Sequence, residues 1–278
     1  MTAPIISIRQ LKYIYNGEKQ ALRGIDLDIF PGERIAVIGA NGAGKSTFFL
    51  NLNGVLTPSS GEIYFKGRKM SHSKADLNTL RQAIGIVFQD ADNQIIAATV
   101  MGEVSFGPMN LKLPRDEVVR RVDEALAYMN LTDFKDRPPH YLSGGEKKRI
   151  TIADIVAMHP EIVVFDEPTA ALDPLNAEML ETVLSRLAAQ KKTLLISTHD
   201  VDFAYRWADR AVVFSDGQII ADDAPVAIFR DEAVMAKAHL KKPMLMEVYE
   251  SLVDRGLAPA GVYPRDVGAF REMVSALK

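Results

Sequence analysis

A chain of 278 residues exceeds one typical domain and falls short of two large ones, so a main domain with a smaller appendage is expected. Hydrophobic residues make up 47% and charged residues 25%, the usage of an ordinary globular protein rather than a disordered or fibrous one. The 33 Lys and Arg nearly balance 36 Asp and Glu, no long basic run occurs and cysteine is absent, which argues against a nucleic-acid surface, disulfides, thiolate metal sites and cysteine nucleophiles.

Short β-rich runs at 5–11, 21–29 and 62–65 open the chain, separated by the turn signals Asn16-Gly17, Pro31-Gly32 and Ser59-Ser60-Gly61. They predict a small, partly antiparallel sheet. Tyr15 follows the first run and offers a flat face suited to a purine base. Between the second and third runs, the apolar strand 35–38 leads into Gly39-Ala40-Asn41-Gly42-Ala43-Gly44-Lys45-Ser46-Thr47, a phosphate-binding P-loop in spelling and context. Its glycines permit a backbone curl with N–H groups turned inward, and the next helix presents its positive end to the same anion. Lys45 adds a point charge for the β- and γ-phosphates of a nucleotide, and the Ser46 hydroxyl suits Mg²⁺.

Gln89 follows the run 84–88, at the C-terminal end of a predicted strand where a nucleotide would lie; a Gln taken alone on a loop is more often solvated or structural. From Val100 to about Tyr141 the period becomes helical, with Val118, Val119, Val122, Ala125, Leu126 and Met129 on one face of a helix opened by Pro114. Next comes Leu142-Ser143-Gly144-Gly145-Glu146, ahead of a helix begun by Lys147, Lys148 and Arg149. Such a string can hold a γ-phosphate with backbone N–H groups, the Ser143 hydroxyl and a helix N-terminus; its plain alternative is a flexible loop.

The apolar strand 162–165 delivers Asp166 and Glu167 at its end. Asp166 is expected to hold Mg²⁺, usually through water, and Glu167 to polarise the attacking water, although two such acids could also merely cap a helix. Strands at 193–197 and 211–214, with a helix at 177–190, complete a parallel, helix-covered sheet, and His199 follows the first of them. After Pro225 the strands stop, and Leu245, Val248, Tyr249 and Leu252 repeat at helical spacing. Residues 1–228 are therefore expected as the main domain and 229–278 as a separate helical module, whose apolar face suits a neighbouring subunit or its own domain. The apolar runs are far shorter than the ~20 residues of a spanning helix, and the N-terminus has no secretory pattern. A cytoplasmic chain that meets a membrane only through a partner is expected.

In order and spacing these motifs resemble the nucleotide-binding domain of ABC transporters over about residues 5–228. The resemblance implies an α/β P-loop NTPase fold with a parallel sheet core, an antiparallel β flank, a helical arm at about 95–158 and the small helical tail. It further implies that Tyr15 stacks on adenine, Gln89 touches Mg²⁺ and the transporter, Glu167 is the catalytic base, Asp173 is the D-loop acid and His199 meets the γ-phosphate. Domains of this family pair head to tail, so that Ser143, Gly144, Gly145 and Glu146 of one subunit face the P-loop of the other. The strings Gln89-Asp90-Ala91-Asp92-Asn93-Gln94 and Ala98-Thr99-Val100-Met101-Gly102-Glu103-Val104-Ser105-Phe106-Gly107-Pro108-Met109-Asn110-Leu111 resemble the energy-coupling-factor importer ATPases, particularly the type that serves cobalt and nickel uptake. The sequence departs from that pattern at Asp90-Ala91, where Asn-Pro is common, at Glu146, where Gln is common, and at Ala170-Ala171, where Ser-Gly is usual. None of these removes a catalytic group.

Together these imply an ATP-hydrolysing subunit on the cytoplasmic face of a membrane, using ATP and Mg²⁺. It would be held by a transmembrane coupling subunit and a substrate-binding membrane subunit, as a homodimer or paired with a paralogous ATPase, and would bind no nucleic acid. The alternatives are a vitamin importer of the same architecture and a soluble ABC ATPase of cofactor assembly.

Overall fold

The computed structural model describes residues 3–169 and 172–276. Ala170 and Ala171, where the sequence departs from the family pattern, lie outside the described residues. In chain order, β1 (Ile6–Tyr15) and β2 (Lys19–Ile29) form an antiparallel hairpin whose turn places Asn16 and Gly17 at positive φ. β3 (Arg34–Ile38) leads through the P-loop into α1 (Lys45–Leu52). β4 (Ser60–Phe65), β5 (Arg68–Lys69), α2 (Lys74–Ala83) and β6 (Ile84–Val87) follow. The helical arm holds α3 (Val100–Asn110), α4 (Arg115–Tyr128) and α5 (Gly144–Ala157). Then come β7 (Ile162–Asp166), α6 (Pro174–Ala189), β8 (Thr193–Thr198), α7 (Val201–Trp207), β9 (Arg210–Ser215) and β10 (Gln218–Asp223). The tail contains α8 (Pro225–Arg230), α9 (Glu232–Ala238), α10 (Met244–Asp254) and α11 (Val267–Ser275).

Among the described residues the strands form two sheets, β2-β1-β4-β5 and β10-β9-β3-β8-β7-β6. The first is antiparallel; the second is parallel except for the β9–β10 edge. Every residue of β6, β7 and β8 is buried, as expected for parallel strands covered on both faces. One core joins the helical arm, α6 and α7 to the parallel sheet, and the other fills the space between the sheets with Ile8, Leu27, Val37, Phe48, Phe49 and Phe214. Full burial of a side chain such as Phe48 contributes about 1.5–3 kcal/mol. It also anchors α1, and with it the end of the P-loop.

Three local features differ from the sequence reading. β10 was not anticipated: its alternation is weak, and only its pairing with β9 makes it a strand. Val119 is exposed, because on a 100°-per-residue wheel it is the outermost of the six apolar positions of α4, while Val122, Ala125, Leu126 and Met129 are buried. In α10, Met246 and Tyr249 are buried and Val248 is exposed, so the buried face is rotated from the expected one. That face packs on the chain's own domain. The Met244 N–H donates to Asp202 at 2.7 Å, the Tyr205 hydroxyl donates to the Pro264 carbonyl at 3.1 Å, and Arg265 donates to the Tyr205 and Ala208 carbonyls. α8 runs across position 229, and Phe229 is itself fully buried against Tyr205.

Candidate functional site

The C-terminal ends of β3, β6, β7 and β8 lie along one edge of the parallel sheet, where such sheets receive ligands. The P-loop leaves from β3. Gly39 has φ 144° and a Cβ there would lie 2.2 Å from the Phe214 carbonyl oxygen; at Gly44, φ is 108° and a Cβ would lie 2.7 Å from that of Ala21. Only glycine fits at either position. The Lys45 ammonium is buried and donates to the carbonyls of Gly39 at 2.8 Å and Ala40 at 3.2 Å, closing the loop upon itself. Burial lowers its pKa, opposed by Glu167 and Asp166. Tyr15, at the end of β1, places its hydroxyl 3.2 Å from Thr47 Oγ1 and its ring edge-on to Tyr13.

β7 ends in Asp166, and Glu167 follows with φ 46°, the left-handed region. Both acids are buried. Glu167 Oε2 lies 2.8 Å from His199 Nδ1, and Oε1, 3.8 Å from the Lys45 ammonium, has no hydrogen-bond partner. The fully buried Ser197 stands opposite Asp166 in the β7–β8 register. Its hydroxyl donates to Asp166 Oδ1 at 2.5 Å and accepts the Glu167 N–H at 2.8 Å. A cavity of about 180 Å³ is bordered by Tyr15, Asn41, Gly42, Gly44, Lys45, Ser46, Thr47, Gln89 and Glu167. Residues as far apart in the sequence as Tyr15, Gln89 and Glu167 thus meet at one place. A second cavity of about 690 Å³ shares Ser46 and Gln89 with it and reaches Asp166, Asp90, Gly144 and Lys148.

Residues 22–170 match the family model described as "ABC transporter". The chain belongs to the ABC transporter family. Among curated relatives, an energy-coupling factor transporter ATP-binding protein EcfA2 of Methanospirillum hungatei is 46% identical over 264 residues, covering 95% of this chain and 66% of its own length. A cobalt import ATP-binding protein CbiO of Rhodobacter capsulatus is 44% identical, covering 94% of each chain. Among solved structures, the cbiO1 of Clostridium perfringens, described as part of the ABC transporter complex cbiONQ, aligns with TM-score 0.75 and 40% identity over 89% of this chain and 99% of its own. The chain is therefore an ABC ATPase with the P-loop fold expected from its sequence. No helix among the described residues is long and apolar enough to cross a membrane.

In this ABC cassette the signature string caps a helix. Ser143 is the N-cap of α5: its hydroxyl accepts the Glu146 N–H at 3.3 Å, and Glu146 Oε2 accepts the Ser143 N–H at 2.7 Å, a reciprocal capping box. The Ser143 hydroxyl also donates to Glu146 Oε2 at 2.7 Å, and these bonds lower the Glu146 pKa. The Glu that replaces the usual Gln therefore points back at the string rather than away from it. Ser143, Glu146 and Asp173 do not border the 180 Å³ cavity. Asp173 instead caps α6, accepting from the Asn176 N–H at 2.9 Å and its side-chain amide at 2.7 Å, bonds that lower its pKa. Asn176 fills the space a Cβ on Gly145 would need, at 2.3 Å.

Three residues of the site were not singled out from the sequence. Ser197 is a hydroxyl near the end of a fully buried strand, and the apolar run Leu194-Leu195-Ile196 before it hides it. Asn176 acquires its place only by the packing of α6 on α5. Lys148, on α5, is buried and donates to the carbonyls of Phe88 at 2.6 Å and Gln89 at 3.1 Å, so the signature helix holds the backbone of the loop that carries Gln89. Burial pulls its pKa down to about 8, opposed by Asp166 and Asp90. Lys147 adds an ion pair to Asp92 at 2.7 Å.

Proposed function

We propose that this chain is the ATP-hydrolysing subunit of an energy-coupling-factor type importer for cobalt or nickel ions, working as a pair of cassettes on the cytoplasmic face of the membrane. The observation that carries this reading is the gathering of the P-loop, Gln89 and Glu167 around one cavity at the sheet edge. P-loop N–H groups and Lys45 bind the phosphates, and Tyr15 lies where it can cover the adenine. The donor set fits Mg²⁺: hard oxygens from Ser46, Gln89 and Asp166, one carboxylate among them, suit an ion that otherwise takes water and phosphate ligands. Those three residues would hold the ion, which supplies neutralisation of the phosphate charge. Glu167, with one carboxylate oxygen free of hydrogen bonds, accepts the proton of the attacking water. His199 uses Nδ1 to orient that carboxylate, which leaves Nε2 for the γ-phosphate.

Ser143, Gly145, Glu146 and Asp173 border neither cavity of their own chain, and Gly144 borders only the larger one, which supports a head-to-tail pair in which Ser143, Gly144 and Gly145 complete the neighbour's site. Gly144 has open space where a Cβ would stand, and so permits close approach of a phosphate to the α5 N-terminus. A membrane partner is supported by exposed apolar side chains beside the Gln89 loop: Ile96 is 71% exposed, and Phe106 and Met109 stand one above the other on α3. The cobalt assignment rests on the name of the Rhodobacter relative.

The test is purification of the tagged chain from solubilised membranes, followed by reconstitution of the copurifying membrane subunits into vesicles. ATP-dependent uptake of radioactive cobalt is expected, and Glu167→Gln is expected to abolish it. Uptake of a vitamin instead of cobalt would overturn the cargo assignment, and purification with soluble proteins alone would overturn the importer reading.

A further inference from the structure

We propose that Ser197 is a positioning residue that fixes the Glu167 carboxylate by holding the Glu167 backbone, with Asp166 as the acceptor that anchors its own hydroxyl. This rests on the reading of Glu167 as the base and adds a residue to it. A serine hydroxyl has one proton to donate and lone pairs to accept with. Here the proton goes to Asp166 Oδ1 at 2.5 Å and a lone pair receives the Glu167 N–H at 2.8 Å, so one atom bridges the side chain of the first acid and the backbone of the second.

The bridge matters because of the backbone at Glu167. Its φ of 46° lies in a region that non-glycine side chains rarely occupy and that surrounding structure must enforce. Rotation about that bond swings the Glu167 carboxylate away from His199 and Lys45. The β7–β8 ladder ends at Asp166 opposite Ser197, so regular strand pairing does not reach Glu167. The hydroxyl of Ser197 takes over where the ladder stops. Ser197 is fully buried, which denies water ready access to replace it.

Alanine at this position removes both bonds and leaves the strand pairing untouched. Single-turnover hydrolysis of radiolabelled ATP and calorimetric ATP affinity, measured on the full chain, test the idea. Ser197→Ala is expected to slow hydrolysis on the order of 10- to 100-fold, since a displacement near 1 Å in a reacting group has effects of that size. ATP affinity should stay within about threefold of wild type, because only the transition state feels the misplacement. In a Glu167→Gln background, Ser197→Ala should add no further loss, there being no base left to orient.

Wild-type hydrolysis by Ser197→Ala, with Glu167→Gln inactive, overturns the role of Ser197 alone. A multiplicative loss in the double variant, or a parallel loss of affinity and rate, assigns Ser197 to general support of the fold and also overturns it. Full activity of Glu167→Gln overturns instead the underlying reading of the base. Should Ser197→Ala not fold, Ser197→Cys, similar in size and a weaker donor, is measured in the same way; an unchanged rate there overturns the proposal.

Discussion

Glu167 Oε2 and His199 Nδ1 meet at 2.8 Å across the ends of the neighbouring parallel strands β7 and β8. The imidazole side chain is largely exposed whereas the carboxylate is buried, so the pair joins a solvent-facing donor to a shielded acceptor. Glu167→Gln keeps the size of the side chain and removes the charge proposed to accept the proton of water. Turnover should fall about 10²- to 10⁴-fold, or roughly 3–5 kcal/mol of barrier, while ATP binding survives. Size exclusion with MgATP should show a persistent dimer of this variant, and phosphate release should show the lost turnover. A variant that hydrolyses ATP near the wild-type rate would remove Glu167 from the role of base.

In the proposed head-to-tail pair, Lys45 and Ser143 lie on opposite halves of a composite site. Lys45→Ala removes the buried cation of the P-loop and is expected to abolish tight MgATP binding in calorimetry. Ser143→Arg should leave nucleotide binding to the isolated monomer nearly intact and stop turnover if the string serves the neighbour as proposed. Mixing the two variants forms some dimers with one site whose halves are both wild type. Partial recovery of phosphate release is the expected result, and ATP affinity lost in Ser143→Arg monomers would contradict the division.

Lys148 ties α5 to the backbone of the Gln89 loop through the Phe88 and Gln89 carbonyls. Methionine at this position keeps the alkyl stem and removes the charged donor. A stability loss of about 1–3 kcal/mol is expected from the deprived carbonyls, read from urea unfolding. Coupling between the arm and the ATP site should weaken as well, which partner-stimulated turnover in the reconstituted complex would report as a smaller stimulation. Unchanged stability and unchanged stimulation would show the contact to be incidental.

Asp154 carries a pH dependence whose sign follows from its surroundings. Burial first, and then the nearby carboxylate of Glu103, raise its pKa from 3.8 to about 7. Between these values the folded chain retains a proton that the unfolded chain releases. The associated stability is fully present below pH 3.8, and declines as the pH rises toward 7 by up to about 1.4 kcal/mol per pH unit. Asp154→Asn cannot ionise and should be more stable than wild type at pH 8, with the difference shrinking toward pH 4. Denaturant midpoints across that range check it, and parallel profiles for the two proteins would contradict it.

The sequence alone determined the P-loop, the signature string and the acidic pair, because each is a contiguous run whose chemistry depends on local backbone: glycines where φ is positive, a capping serine before a helix, acids at the end of an apolar strand. Gly39 and Gly44 are legible for that reason, and the structure adds only the carbonyls of Phe214 and Ala21 that crowd them. What joins Glu167 to His199, Ser197 to both acids, Lys148 to the Gln89 loop and Asn176 to Gly145 was decided by tertiary structure. Those partners are 30 to 60 residues apart and belong to different elements, and no local period or propensity links them. The tail followed the same division. Its helical spacing was readable at Leu245, Val248, Tyr249 and Leu252, whereas the turn that buries Met246 and leaves Val248 in solvent was set by the surface it met, held to α7 by Asp202, Tyr205 and Arg265.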